Sequence, residues 1–117
     1  MRNFYDLKVW KLSHELTLKI YGTVISFPPE ELFGLRSQMR RSSSSIPTNL
    51  AEGCGRNSNP DFKRFVNIAI GSTSELEYQL LLAKDLKYLN EPTFIELTNN
   101  VIEIRRMLIS LYKKAPL

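Results

Sequence analysis

Apolar residues recur every three or four positions along nearly the whole chain, and this spacing limits the fold more than any other feature of the sequence. The clearest case is the last segment, whose apolar line runs through Phe94, Leu97, Val101, Ile104, Leu108 and Leu111. Alternating steps of three and four are typical of a helix that packs along one seam. No stretch alternates strictly enough to predict a strand. The sequence therefore predicts an all-α fold.

Short breaks rich in proline and asparagine separate the periodic segments. They occur at Phe27-Pro28-Pro29, at Asn57-Ser58-Asn59-Pro60-Asp61 and at Asn90-Glu91-Pro92. Between them the pattern predicts four helices at roughly residues 5–26, 30–54, 60–88 and 92–114. Connections this short make sequential helices antiparallel, so we expect an up-down-up-down four-helix bundle. A chain of 117 residues fits one such domain, covering residues 1–117.

Residues 40–56, RRSSSSIPTNLAEGCGR, have the composition of a flexible linker, yet they keep the helical period. An apolar or small line continues through Leu32, Leu35, Met39, Ser43, Ile46, Leu50 and Cys54. We therefore predict one helix, kinked near Pro47 and ending at Gly53 to Gly55. The small side chains should let a neighbouring helix approach closely, with Ala69, Gly71 and Ser72 as its matching positions.

Composition narrows the class of protein. Hydrophobic residues make up 43% of the chain, but the longest apolar runs span only a few residues, so no membrane helix is expected. The first residues, MRNFYDLKVW, lack the pattern of a secretory signal. A single cysteine, Cys54, forms no internal disulfide. We expect a cytoplasmic protein.

The net charge of +4 is concentrated in one quarter of the sequence. Residues 36–64 carry six basic side chains and two acidic ones, Glu52 and Asp61. Their net charge of +4 equals the net charge of the whole chain. Such a patch indicates a polyanion as ligand, with a solvated helix face as the alternative. The predicted nucleic-acid-binding residues are Arg36, Arg40, Arg41, Arg56, Lys63 and Arg64. No aromatic residue interleaves with the first three in sequence, so phosphate contacts rather than base stacking are expected.

Residues that carry catalysis do not converge in this sequence. The two-metal site common in helix bundles needs Glu-x-x-His pairs, and the one histidine, His14, has no glutamate three residues before it. His14 shares the apolar side with Trp10 and Tyr21, which favours a packed or interface histidine. Cys54 between two glycines is typical of a small buried filler. We expect a non-enzymatic protein with no catalytic residue, metal, cofactor or small-molecule substrate.

Glu52 and Glu75 are expected to make structural polar contacts. An ion pair of Glu52 with Arg41 or Arg56, formed across the bundle or between subunits, is the favoured interpretation.

Two extra apolar rows exceed what one bundle seam requires. One comprises Ile95, Ile102 and Ile109, and the other runs through Trp10, His14, Tyr21 and Val24. Excess apolar surface on regular helices indicates a partner, and for a small bundle the default partner is a second copy. We therefore predict a homo-oligomer.

Four stretches also carry a resemblance to a known family, namely FYDLKVWKLSHEL, IYGTVISFPPEELFGLRSQMRRSS, SIPTNLAEGCGR and FKRFVNIAIGSTSELEYQLLLAKDL. Together they resemble the small bacterial four-helix-bundle family first noticed as reading frames within intervening sequences of large-subunit ribosomal RNA genes. The accessory variability protein of diversity-generating retroelements is similar at a greater distance. The resemblance implies an antiparallel four-helix bundle, a ring-like pentamer and a nucleic-acid-binding role without enzymatic activity. The alternative function is an oligomeric scaffold that recruits a polymerase, a reverse transcriptase or another protein.

Overall fold

The computed structural model describes residues 2–116, and four α-helices account for most of them. The helices are α1 (Lys8–Val24), α2 (Leu35–Cys54), α3 (Asn59–Asp85) and α4 (Glu91–Lys114). Two 3₁₀ turns, Phe4–Asp6 and Pro29–Glu31, precede α1 and α2. Residues 2–116 contain no β-strand, and none of their helices is long and apolar enough to cross a membrane.

The helices form a four-cornered bundle. Helix α1 packs against α2 and α4, and α3 packs against the same two helices, while among the described residues the Cα atoms of the diagonal helices stay more than 8 Å apart. The bundle measures 44 × 24 × 19 Å along its principal axes. This is the antiparallel up-down-up-down arrangement, so the predicted fold class is confirmed.

The core follows the predicted apolar lines closely. In α4, Leu97, Val101, Ile104 and Leu108 are buried. In α2 every member of the predicted line is buried except Leu32, which is 39% exposed. Leu32 lies before the helix, so the helical period does not apply to it.

Helices α1 and α2 begin later than the sequence pattern indicates. Helix α1 begins at Lys8 rather than near residue 5, and α2 begins at Leu35 rather than near residue 30. Before α2, Glu31 lies in its own 3₁₀ turn. Its carboxylate accepts a hydrogen bond from the Leu35 N–H at 3.0 Å. Glu31 therefore caps the helix from outside its first turn.

Pro47 lies inside α2, which continues through it to Cys54. Proline has no N–H, so the carbonyl of Ser43, four residues earlier, loses its usual donor. The Thr17 hydroxyl of α1 lies 3.0 Å from that carbonyl and 2.9 Å from the carbonyl of Ser13. The two carbonyls share the single hydroxyl proton of Thr17, so a neighbouring helix partly replaces the donor that Pro47 removes.

Small polar residues join α2 to α3, as expected for close packing. The hydroxyls of Ser45 and Ser72 lie 2.8 Å apart, and Ser42 donates to the side-chain carbonyl of Gln79 at 2.6 Å. Gly71 does not take part, which corrects the sequence expectation: a Cβ added to it meets no atom within 4 Å. The glycine at the contact is Gly53, where an added Cβ would lie 2.9 Å from the Phe65 Cβ.

Candidate nucleic-acid interface

The six basic residues predicted to bind nucleic acid do not form one surface. Helix α2 has 20 residues, which corresponds to about 30 Å of length. Arg36 lies at its start, whereas Arg56 follows its end and Arg64 lies in the first turns of α3. The basic quarter of the sequence is therefore divided between the two ends of the bundle.

Arg40 and Arg41 are neighbours in sequence but point to different sides of α2. The Arg40 guanidinium lies 5.8 Å from the centre of the Tyr21 ring on α1. Arg41 instead donates to the Glu75 carboxylate of α3 at 2.6 Å. Neighbouring positions of a helix are about 100° apart, so the pair cannot act as one unit.

The other three predicted residues meet where α2 ends and α3 begins. The guanidinium carbons of Arg56 and Arg64 lie 4.8 Å and 4.4 Å from the centre of the Phe65 ring. Lys63 lies 4.6 Å from the ring centre of Tyr112 on α4. Contacts between a cation and an aromatic ring hold the basic groups in place. Arg56 and Arg64 each use one nitrogen to pair with Glu52 at 3.3 Å and Asp61 at 3.5 Å, which leaves their other N–H groups for phosphate. These three residues form a preorganised basic cluster.

Four further basic residues, absent from the sequence prediction, lie at the same end. The Arg2 guanidinium lies 3.8 Å from the Phe62 ring centre and donates to the side-chain carbonyl of Asn59 at 3.0 Å, and the backbone N–H of Arg2 donates to the Cys54 carbonyl at 2.9 Å. Lys8 and Lys114 line one shallow hollow between the start of α1 and the end of α4. We define the basic end as Arg2, Lys8, Arg56, Lys63, Arg64, Lys113 and Lys114.

The charge of the bundle is polarised along its long axis. At the basic end seven positive side chains face three acidic ones, Asp6, Glu52 and Asp61. The remaining end carries Arg36, Lys84 and Lys87 together with Glu30, Glu31, Asp85 and Glu91. One end therefore has a clear positive excess, while the other is nearly balanced.

Glu52 and Glu75 each form an ion pair. Glu52 pairs with Arg56 at 3.3 Å, one turn along the same stretch, and not with Arg41. Glu75 forms its ion pair with Arg41, and this pair joins α3 to α2. All four side chains are substantially exposed, so each pair adds at most about 1 kcal/mol to stability.

His14 and Cys54 occupy very different environments. His14 is exposed on α1, with its ring stacked parallel to Trp10 at 5.3 Å between ring centres. Cys54 is 1% exposed, and burial raises the pKa of its thiol against the opposing charge of Arg2. Among residues 2–116, no three histidine, cysteine, aspartate or glutamate side chains group as metal ligands would.

Comparison with known proteins gives two findings and one negative result. The family described as 23S rRNA-intervening sequence protein matches residues 5–110. No curated protein matches the chain.

A solved structure from Bacteroides thetaiotaomicron VPI-5482, a protein of unknown function from the S23 ribosomal protein family, is 29% identical. It superposes with a TM-score of 0.84 over 91% of this chain and 96% of its own. The family match and the shared bundle agree over nearly the full length, and the chain belongs to the 23S rRNA-intervening sequence protein family.

Proposed function

We propose that this protein binds RNA or DNA through the basic end, as a cytoplasmic homo-oligomer and without catalysis. The observation that carries the proposal is the charge asymmetry: seven basic side chains against three acidic ones at one end. Phosphates are the most regular array of negative charge that such a surface meets in a cell. The family name, which refers to 23S rRNA, makes RNA the first ligand to test.

The basic end suits the phosphate backbone better than a base sequence. Arg2, Arg56 and Arg64 present planar guanidinium groups that pair with phosphate oxygens in a bidentate manner. Phe62 and Phe65, which lie beneath these groups, are buried, so they offer no face for a base. We expect little sequence preference and a steep dependence on salt at this surface.

Self-association repeats the basic end and raises its affinity. On the outer face of α1, Leu18, Tyr21 and Ile25 are 58%, 43% and 69% exposed. Val24, expected in the same row, is buried, so Leu18 and Ile25 extend the row instead. On the opposite edge, Tyr78 and Leu81 of α3 help to line a hollow of about 420 Å³ against α4.

These two surfaces lie at the same level along the bundle. Thr17 of α1 contacts the Ser43 carbonyl of α2, and the adjacent Ser42 bonds Gln79 of α3. Leu18 therefore lies level with Tyr78. A contact between the α1 row of one copy and the α3–α4 hollow of the next is heterologous, and repeated rotation closes it into a ring. Five copies, the number that the family resemblance implies, would present five basic ends on one face.

Light scattering tests this proposal directly. The protein is sized alone, with a single-stranded RNA and with a DNA duplex, at several salt concentrations. We expect a defined oligomer that gains mass with nucleic acid at low salt and releases it at high salt. A monomer that is indifferent to both ligands would overturn the proposal.

One observation favours a second function, a scaffold that recruits a protein such as a polymerase. Phe33, in the connection before α2, is 91% exposed, and Leu32 beside it is 39% exposed. Both residues lie at the end away from the basic cluster, where a partner could dock without touching nucleic acid. A partner that is captured after nuclease treatment and lost with Phe33→Ser would support the scaffold function. Capture that depends on Arg64 would contradict it.

A further inference from the structure

A row of four aromatic rings, from Phe4, Tyr5, Trp10 and His14, lies on the outer face of the bundle beside the basic end. The rings of Phe4 and Tyr5 stack at 4.4 Å, and Trp10 lies 4.7 Å from Phe4 and 5.3 Å from Tyr5. His14 continues the row by stacking on Trp10 with only 5° between the ring planes. Tyr5 is 71% exposed. Phe4 and Trp10 are half-buried and pack one side against the core, whereas Tyr5 and His14 are exposed, so part of the π surface stays open to a ligand.

Three of these rings form one wall of a hollow between α1 and α2. The hollow has a volume of about 270 Å³, with Phe4, Trp10, His14 and Thr17 on one side. Its other wall comprises Ser44, Pro47, Thr48 and Ala51 of α2. The volume is close to the lower limit of small-molecule pockets, roughly 300 Å³. A single flat ring system fits such a space. Ser44 and Thr48 line it, and the Ser44 hydroxyl, which donates to the Arg41 carbonyl at 3.2 Å, can still accept a hydrogen bond from the ring edge.

One basic residue, Arg40, borders the hollow on the side away from the basic end. Arg40 lies one helical turn before Ser44, about 6 Å along α2, and its guanidinium rests near the Tyr21 ring on the same side. On the other side, the Arg2 guanidinium lies over Phe62 and Lys8 faces α4 beside Lys114, so neither residue lines the hollow. A flat ring in the hollow would therefore have the Arg40 cation on one side and the basic end further along the bundle on the other.

We propose that this hollow takes an unpaired nucleobase of a single-stranded nucleic acid whose flanking phosphates contact Arg40 and the basic end. The inference rests on the proposed function and narrows it, because the bases of an intact duplex are stacked internally and cannot enter. Aromatic rings, hydroxyls and a bordering cation together are the features that bind single strands. The row used for self-association begins at Leu18, nearer the opposite end, and adjoins this surface at Arg40, whose guanidinium lies 5.8 Å from the Tyr21 ring centre.

The only tryptophan of the chain, Trp10, makes the test direct, because a base that stacks beside an indole quenches its fluorescence. Three probes are compared: a twelve-nucleotide oligouridylate, an RNA duplex of the same length and inorganic polyphosphate. We expect the oligouridylate to quench Trp10. The duplex and polyphosphate should bind in a salt-dependent manner without quenching it.

Variants separate the hollow from general charge. His14→Ala and Arg40→Ala should each weaken oligouridylate binding about tenfold, the loss typical of one stacked base or one desolvated phosphate contact. Arg41→Ala removes the same charge one residue away, but on the α3 side of the helix. It should leave both affinity and quenching unchanged.

The outcomes distinguish this inference from the proposed function. If oligouridylate binds but leaves Trp10 unquenched, and His14→Ala binds as tightly as the wild type, the hollow is overturned and the basic end stands. Uridine monophosphate tests the hollow alone, since one phosphate cannot depend on the whole basic end. Its quenching of Trp10 in a Lys63→Gln/Arg64→Gln variant that no longer binds polyphosphate would support the hollow. No quenching by the mononucleotide at millimolar concentration would contradict it.

Discussion

Replacing a helical glycine by alanine should have opposite effects on stability at Gly53 and Gly71. Gly53 lies in the last turn of α2 and Gly71 in the middle of α3. At Gly53, an added Cβ would lie 2.9 Å from the Phe65 Cβ and 3.4 Å from the Phe62 carbonyl oxygen. A Cβ atom does not move with the side-chain rotamer, so α3 would have to shift away. At Gly71 nothing lies within 4 Å, and the same methyl group points into open space.

The magnitudes follow from two terms. Alanine gains about 0.5–1 kcal/mol over glycine within a helix, and this gain applies to both positions. At Gly53 the forced separation of packed helices costs about 1–3 kcal/mol. Gly53→Ala should therefore lower the free energy of unfolding by about 1–2 kcal/mol, whereas Gly71→Ala should raise it by about 0.5–1 kcal/mol.

Thermal unfolding followed by circular dichroism measures the difference. For a domain of this length, 1 kcal/mol corresponds to about 4 °C, so the two variants should melt roughly 8 °C apart. Both are compared at one protein concentration, because the stability of an oligomer depends on it. A Gly53→Ala variant as stable as Gly71→Ala would refute the close approach of α2 and α3.

Three further predictions concern single contacts. Ser42→Ala leaves the buried side-chain carbonyl of Gln79 without its 2.6 Å donor, so urea unfolding should show a loss of about 1–3 kcal/mol; no loss would mean that the bond is not formed. Lys87→Gly should raise stability by about 1 kcal/mol in the same assay, because Lys87 has a φ of 68° that costs a side chain more than a glycine; a loss would contradict this. The hydrogen bond to Glu31 raises the pKa of Tyr88. The hydrogen bond therefore stabilises the fold fully below the usual tyrosine pKa of about 10, and this stabilisation is lost as the pH rises through the higher pKa of Tyr88 in the folded protein. Tyr88→Phe should show a smaller fall in stability at alkaline pH. An unchanged alkaline fall would be inconsistent with the bond.

The spacing of hydrophobic residues predicted most of the fold, because helix formation and burial depend on the same period of 3.6 residues. The serine-rich stretch illustrates this: its small line stays in register through Pro47, and the structure keeps it helical to Cys54. What spacing could not provide was the donor for the Ser43 carbonyl. That donor, Thr17, comes from another helix, and no local pattern reveals it.

The candidate interface was only partly predictable for a similar reason. Counting charge along the sequence placed Arg36 and Arg64 in one predicted patch, although the length of a helix separates the two residues in space. The antiparallel topology brings the start of α1 and the end of α4 to the α2–α3 turn, so Arg2 and Lys114 join Arg56. Charge counted by bundle end, once the four helices had been placed, would have found this cluster.

The aromatic row was hidden for the opposite reason. The sequence placed Trp10 and His14 in an extra apolar row that indicated self-association, and no basic residue of the predicted patch lies beside them in sequence. Only the packing of α1 on α2 brings Arg40 and Ser44 to the same groove. Base stacking therefore became a testable idea only with the structure.

The salt dependence of RNA binding tests the central claim most directly. Two double variants are compared, Lys63→Gln/Arg64→Gln at the basic end and Lys84→Gln/Lys87→Gln at the other end. They are matched, because each removes two cations and each includes a lysine, Lys63 or Lys84, that lies over an aromatic ring of α4. Affinity for a single-stranded RNA is measured by fluorescence anisotropy at salt concentrations from about 50 to 200 mM. We predict that the first variant binds more weakly and that its slope of log affinity against log salt is shallower by about 1.4 per protomer. The second should match the wild type, and equal losses in both variants, or none in either, would contradict binding through the basic end.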